Sequence, residues 1–155
     1  MWKAFQRYRE LDPEARKLFW RAVTLLPLVG VSLRVRGFQK TKENLAKKLP
    51  TGQVDPDSKT GNVEAVQMTC RMVKAGAHYG FGHPTCLAQS LVLWYLLQKQ
   101  NIPTRFRIGV KKLTSKFEAH AWLEHEGVAL NQTAEPHHHY AAFESEFSDL
   151  PGESA

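Results

Sequence analysis

A chain of 155 residues and 17.6 kDa, 43% hydrophobic and 10% aromatic, has the size and apolar content of one globular domain with its own core, which excludes a disordered chain. Its net charge of +6 is uneven: residues 1–50 carry 12 Lys and Arg against 4 Asp and Glu, residues 51–155 carry 9 against 11. The longest apolar run, Ala22 to Leu33, is interrupted by Pro27 and Gly30 and is too short for a membrane span, and no apolar region follows the charges of Met1 to Glu10 as in a signal peptide.

Two cysteines, Cys70 and Cys86, with no secretory leader, point to a reducing cytosol, with a single disulfide between them left open. A basic first third suits a contact with nucleic acid, an anionic membrane surface, or an acidic peptide or partner; a solvated helix face is the commoner reason for such charge.

The chain opens with a short basic, aromatic segment, Met1 to Glu10, whose Trp2 and Phe5 are suited to docking. Asp12-Pro13-Glu14 reads as a helix start, with an acid at the N-cap and proline at the first helical position. Ala15, Leu18, Phe19, Ala22, Val23, Leu25 and Leu26 recur at three- and four-residue spacing and predict one apolar stripe. Pro27 is expected to end or kink this helix, and a second basic helical stretch spans about Leu33 to Lys48. Residues 51–61 have the turn chemistry of a surface loop. Asn62 can cap a helix over about Val63 to His78, with Cys70 in its middle as a structural cysteine by default.

Tyr79 to Gln100 organises the rest. Gly80, Gly82 and Pro84 punctuate a loop that delivers Cys86 to the first turn of a helix, with Thr85 as its N-cap. From Leu87 to Leu97 only Gln89 and Ser90 are polar, so this helix belongs in the middle of a domain. A thiol at the N-terminus of a buried helix lies against about half a positive charge, which favours thiolate over thiol. Most lone cysteines are small core hydrophobes, so position alone does not make Cys86 a nucleophile.

After Ile102-Pro103 the period changes to two. Phe106, Ile108 and Val110 alternate with Arg105 and Arg107, a strand with one buried face. Lys111 to Lys116 reads as a turn, and Phe117, Ala119, Ala121 and Leu123 then alternate with Glu118, His120, Trp122 and Glu124 as a second strand. A turn at His125-Glu126-Gly127 leads to a third strand, Val128 to Asn131, and the tail from Gln132 is expected to wrap the domain before fraying.

A thiolate nucleophile needs an imidazole to hold the ion pair and protonate the leaving amine, and a third group to orient that imidazole. His120, on the strand face opposite the apolar set and beside Trp122, is the natural partner of Cys86. If Val128 and Leu130 share the buried face, Asn131 falls on the face of His120. A two-residue turn at His125-Glu126 places Asn131 directly across from His120, and one at Glu126-Gly127 places it one diagonal step away. Cys-His-Asn is a thiol-protease constellation.

Cys86-Leu-Ala-Gln-Ser-Leu, Asn-Ile-Pro-Thr-Arg-Phe-Arg-Ile-Gly-Val, Phe-Glu-Ala-His120-Ala-Trp-Leu-Glu-His-Glu-Gly and Leu-Asn131 together resemble the transglutaminase-like leader peptidases of lasso-peptide biosynthesis, over about Val63 to Phe143. The resemblance implies an α+β fold of the transglutaminase/papain type, in which N-terminal helices and a Cys-bearing central helix pack on a small antiparallel sheet carrying the His. It implies a bacterial, cytoplasmic cysteine protease that removes the leader from a ribosomally made precursor peptide. The freed core would then be closed by an asparagine-synthetase-like cyclase.

Family members often carry an acid at or just after the position of Asn131, where this chain has Asn131-Gln132, so the third role stays open between Asn131 and, second, Glu135. The first 60 residues are too few for an extra winged-helix module, which resembles the split form with a separate leader-recognition protein. The chain is accordingly expected to be one domain, with a basic helical lead-in at 1–50, a catalytic core at 62–143 and a tail at 144–155.

Within that scheme the backbone N–H of Cys86 is one oxyanion donor, with a second from the Gly82–Pro84 loop or from His83 or Gln89. Tyr79, Phe81 and Trp122 are groove candidates, although aromatics near such a helix more often simply pack. His137-His138-His139, with His125 nearby, invites a metal reading, but three consecutive residues in an extended segment cannot all face one ion, so no metal and no cofactor are expected. The basic first third then reads as a docking face for partner or precursor, since no nucleic-acid motif accompanies it. The rival readings are a thiol acyltransferase or amidase on the same scaffold, a non-catalytic peptide-binding scaffold, and a basic nucleic-acid binder.

Overall fold

The computed structural model describes residues 12–50, 63–113, 116–131 and 141–142. Its first element, α1 (Pro13–Ala46), begins with proline at the first helical position, as the sequence predicts. The Asp12 side chain makes no capping bond; its carbonyl instead accepts from the Arg16 N–H at 3.0 Å.

The break expected at Pro27 lies at Gly37. Proline's fixed φ of about −65° is itself helical and removes one hydrogen bond, whereas Gly37 takes φ 76° and ψ 179°, which no helix contains. Two arms result, 13–36 and 38–46, so the second basic stretch starts later than the sequence suggests. The Ser32 hydroxyl lies 2.9 Å from Thr41 Oγ1, which donates to the Gly37 carbonyl at 2.7 Å, and these bonds hold the bend. The second arm sets Phe38 against Phe106, ring centres 5.4 Å apart, and Lys42 Nζ 5.7 Å above the Trp94 ring.

The inner stripe of α1 is the predicted one: Ala15, Leu18, Ala22, Val23 and Leu26 are buried, and Val29 extends it. Against it runs α2 (Val63–Tyr79), which buries Val66, Thr69, Met72, Val73 and Gly76. At Gly76 the helices approach so closely that a Cβ would stand 3.0 Å from that of Ala22. Both cysteines are free.

Next comes α3 (Cys86–Gln98), the predicted central helix. Ala88, Leu91, Val92, Leu93, Leu96 and Leu97 are all at most 1% exposed, joined to α1, α2 and the sheet in one core. A helix apolar on every side is stable in water only when covered on every side.

The sheet holds β1 (Arg105–Leu113), β2 (Lys116–His125), β3 (Val128–Ala129) and β4 (Ala141–Ala142) in the order β3-β2-β1-β4. β1 and β2 pair antiparallel from Arg105 opposite Glu124 to Leu113 opposite Lys116, so most of the expected turn at Lys111 to Lys116 belongs to the strands. The turn expected at His125-Glu126-Gly127 is shorter as well. His125 is the last residue of β2, buried, with Nδ1 2.7 Å from the Pro103 carbonyl oxygen. Glu126 (φ 49°) and Gly127 (φ 77°) alone form the connection, both left-handed as a type I′ hairpin requires. Ala121 and Leu123 face α3 from β2, and the result is the expected α+β arrangement of helices on a small antiparallel sheet.

Candidate active site

Cys86 sits at the first position of α3, half-buried. Thr85 caps the helix as expected: its extended backbone (φ −64°, ψ 160°) turns the hydroxyl to accept from the Ala88 N–H at 3.3 Å. Gln89 reaches back to donate one Nε2–H to the Pro84 carbonyl at 2.9 Å, so its amide pins the incoming loop. The first four N–H groups of a helix lack intrahelical acceptors. Thr85 Oγ1 accepts from Ala88 and the Thr85 carbonyl accepts from Gln89 at 3.0 Å, which leaves Cys86 and Leu87 as the open donors of this turn among the described residues.

The loop before Cys86 is open to solvent. Phe81 is 83% exposed and Tyr79 64% exposed, and His83 is exposed too. Tyr79 stacks edge-on against His78 with ring centres 4.6 Å apart. With Arg71, Lys74, His78 and Gln89 it lines a shallow groove of about 600 Å³ beside the start of α3.

His120 lies on the face of β2 opposite to Ala121 and Leu123, as the alternation predicts. Its ring is nearly parallel to that of Trp122, centres 6.1 Å apart at 19°. Trp122 is only 4% exposed and donates Nε1–H to Glu124 at 3.1 Å, and the other Glu124 oxygen takes an ion pair from Arg107 Nε, also at 3.1 Å. The imidazole therefore stands at one end of a connected row, His120, Trp122, Glu124, Arg107, that spans two strands. Glu124 and Arg107 were visible in the sequence only as strand polars; their spacing of two and their cross-strand placement are what join them.

One polar link ties α3 to β2. Ser90, one helical turn below Cys86 on the same face, donates to the Ala121 carbonyl at 2.9 Å, immediately beside His120 in β2. The bond is buried and joins residues otherwise far apart in sequence. It fastens α3 to β2 at a point one helical turn from Cys86. A buried hydroxyl in an otherwise apolar helix has to find a partner, and Ser90 finds it on the neighbouring strand.

Asn131 takes one of the two expected registers but lies beyond the end of its strand. The Glu126-Gly127 turn puts it one diagonal step from His120, the second of the two registers considered. The chain leaves the ladder after Leu130 donates to the Leu123 carbonyl at 2.8 Å, so the strand expected to reach Asn131 stops at Ala129. Asn131 Oδ1 then accepts from the Leu123 N–H at 2.9 Å, in place of the backbone carbonyl a longer strand would offer. Its Nδ2 donates to Ser90 Oγ at 2.7 Å. Both ends of the amide thus serve the α3–β2 junction as a brace. Glu135 and His137-His138-His139 lie outside the described residues.

Cys70, in mid-α2 against the core, is the contrasting thiol: burial pushes its pKa up to about 11. Among the described residues no group of His, Cys, Asp and Glu is arranged to hold a metal ion.

Cys86 thus opens a buried helix that packs on an antiparallel strand carrying His120. Residues 25–145 match the transglutaminase-like superfamily, and the chain belongs to it. The match begins inside α1, at residue 25, and so takes in the kink at Gly37. No curated protein and no solved structure gives a significant match. The fold is compatible with cysteine protease or acyltransferase chemistry.

Proposed function

We propose that the protein is a cysteine protease that cuts the leader from a ribosomally made lasso-peptide precursor. The observation that supports this reading is the Ser90–Ala121 bond, which fastens α3 to β2 one helical turn from Cys86 and one residue from His120. The Cys86 sulfur attacks the carbonyl at the leader–core junction, and the open N–H of Cys86 supports the oxyanion that forms. His120 gives its proton to the departing core amine and then takes one from the water that hydrolyses the leader thioester. The brace of Asn131 and Ser90 holds the strand in place while this happens. Exposed Phe81 and Tyr79 offer apolar surface to an extended peptide beside the nucleophile.

In this reading the reaction runs in the bacterial cytoplasm, with a separate leader-binding protein delivering the precursor and an asparagine-synthetase-like cyclase taking the freed core. The test incubates the protein with a precursor and its leader-binding partner and follows products by mass spectrometry. Wild type is expected to release free leader and free core, and Cys86→Ala and His120→Ala to lose at least about 10³-fold in rate. Cutting by either variant at the wild-type rate overturns the assignment. A leader joined to an added amine, with little free acid, reassigns the same site to acyl transfer.

A further inference from the structure

The inner face of α1 is in the core, but its outer face is apolar as well. Trp20, Leu28, Val31 and Val35 are 55%, 66%, 59% and 76% exposed. Their spacing of eight, three and four residues puts them on one side of the helix, a stripe about 22 Å long at 1.5 Å per residue. From Ala15 to Lys42 the chain has seven Lys and Arg and no acidic residue.

We infer that this outer face of α1 docks on an anionic lipid bilayer, with the helix lying in the plane of the headgroups. An exposed apolar stripe flanked by cations alone is the pattern of an interfacial helix. Arg16, Lys17 and Arg21 stand at one end of the stripe and Arg34 and Arg36 at the other, placed to meet lipid phosphates on either side of the buried strip.

Other occupants fit less well. A second copy of the chain would bring the same cations face to face. A protein partner normally makes a hydrogen bond for every 100–200 Å² of interface. Within the stripe Thr24 turns its hydroxyl onto the Trp20 and Arg21 carbonyls, both at 3.0 Å, and Pro27 carries no N–H. A bilayer asks for no directional partner. The segment is long and apolar enough by composition to cross a membrane, but Leu18, Ala22, Leu26 and Val29 hold its other face in the core with α2 and α3. It therefore lies on the surface and does not span.

The test is co-sedimentation of the full chain with phosphatidylcholine vesicles, with and without phosphatidylglycerol, at low salt. Binding is expected to the anionic vesicles and only weakly to the neutral ones. It should fall about fivefold for each of Arg16, Lys17 and Arg21 changed to Gln. The Leu28→Glu/Val31→Glu variant, changed at two exposed positions, should keep its melting temperature and lose sedimentation. Protein that stays in the supernatant with anionic vesicles overturns the proposal, as does a Leu28→Glu/Val31→Glu variant that sediments like wild type. A concentration-dependent dimer abolished by the same variant assigns the face to a second copy. Loss of lipid-free leader cleavage in that variant, with the leader-binding protein present, assigns it to a protein partner, and either result overturns the proposal.

Discussion

The middle of α2 and the first turn of α3 each carry a half-buried cysteine, and the two sites differ in almost everything else. Cys70 has helix above and below it and the core beside it, so desolvation holds its proton on up to a pKa of about 11. Cys86 has no helix before it. An exposed loop leads in, Thr85 closes the turn beneath it, and two backbone N–H groups of that turn stay open. Exposure does not separate the two thiols; the backbone around them does. A residue type becomes chemistry where the chain changes from loop to helix, not where it runs through one.

The widest gap should appear in labelling by iodoacetamide at pH 8. A thiol of pKa about 11 is ionised there to about one part in a thousand, against about a quarter for an ordinary thiol of pKa 8.5. Cys70 should therefore react at least about a hundredfold more slowly than free N-acetylcysteine, and more slowly than Cys86 as mapped by peptide mass spectrometry. Its rate should climb about tenfold per pH unit until the pH reaches about 11, since only the thiolate reacts. Equal labelling of both thiols at pH 8 breaks the contrast. In the proposed activity Cys70→Ala should cut precursor at the wild-type rate, whereas Cys86→Ala should not.

The next effect concerns what holds the α3 turn against β2. Asn131→Ala leaves the Leu123 N–H without its acceptor and Ser90 without a donor, which should cost about 2 kcal/mol of unfolding free energy. Ser90→Ala should cost a similar amount, and because the two share one bond the double variant should fall short of the sum by at least about 0.5 kcal/mol. Asn131→Asp separates the brace from a catalytic acid. Its oxygen can still accept from Leu123, but Ser90 has one proton and cannot give it to both the Ala121 carbonyl and the new carboxylate. About 1 kcal/mol should be lost. Urea unfolding of wild type and the four variants checks all of this, and an additive double variant removes the brace.

Local signals carried much of this into the sequence. Thr85 and Cys86 were legible as a cap and first turn because capping depends on residues three apart. The alternation in Phe117 to Glu124 gave the face of His120, and the left-handed pair Glu126-Gly127 belonged to one of the two registers considered. What stayed hidden depends on distant neighbours or on one dihedral. Pro27 reads as a breaker and Gly37 does not, although only Gly37 takes a backbone that ends a helix. The partnership of Asn131 with Ser90 spans 41 residues and needs the strand to stop two residues early. The packing of Phe38 on Phe106, which folds the second arm of α1 onto the sheet, has no trace in periodicity.

The smallest change sharpens the contrast most finely. Thr85→Ala removes the acceptor of the Ala88 N–H and should cost about 1 kcal/mol, the usual loss for a helix cap. Gln89 still holds the Pro84 carbonyl, so the loop stays attached and the damage is confined to the turn that begins with Cys86. Fraying there spoils the geometry of the open N–H groups around that sulfur and leaves α2 untouched. Iodoacetamide labelling of Cys86 should slow severalfold while that of Cys70 stays as it was. If both thiols change together, the cap acts on the whole fold, and the chemistry of Cys86 does not depend on how its helix begins.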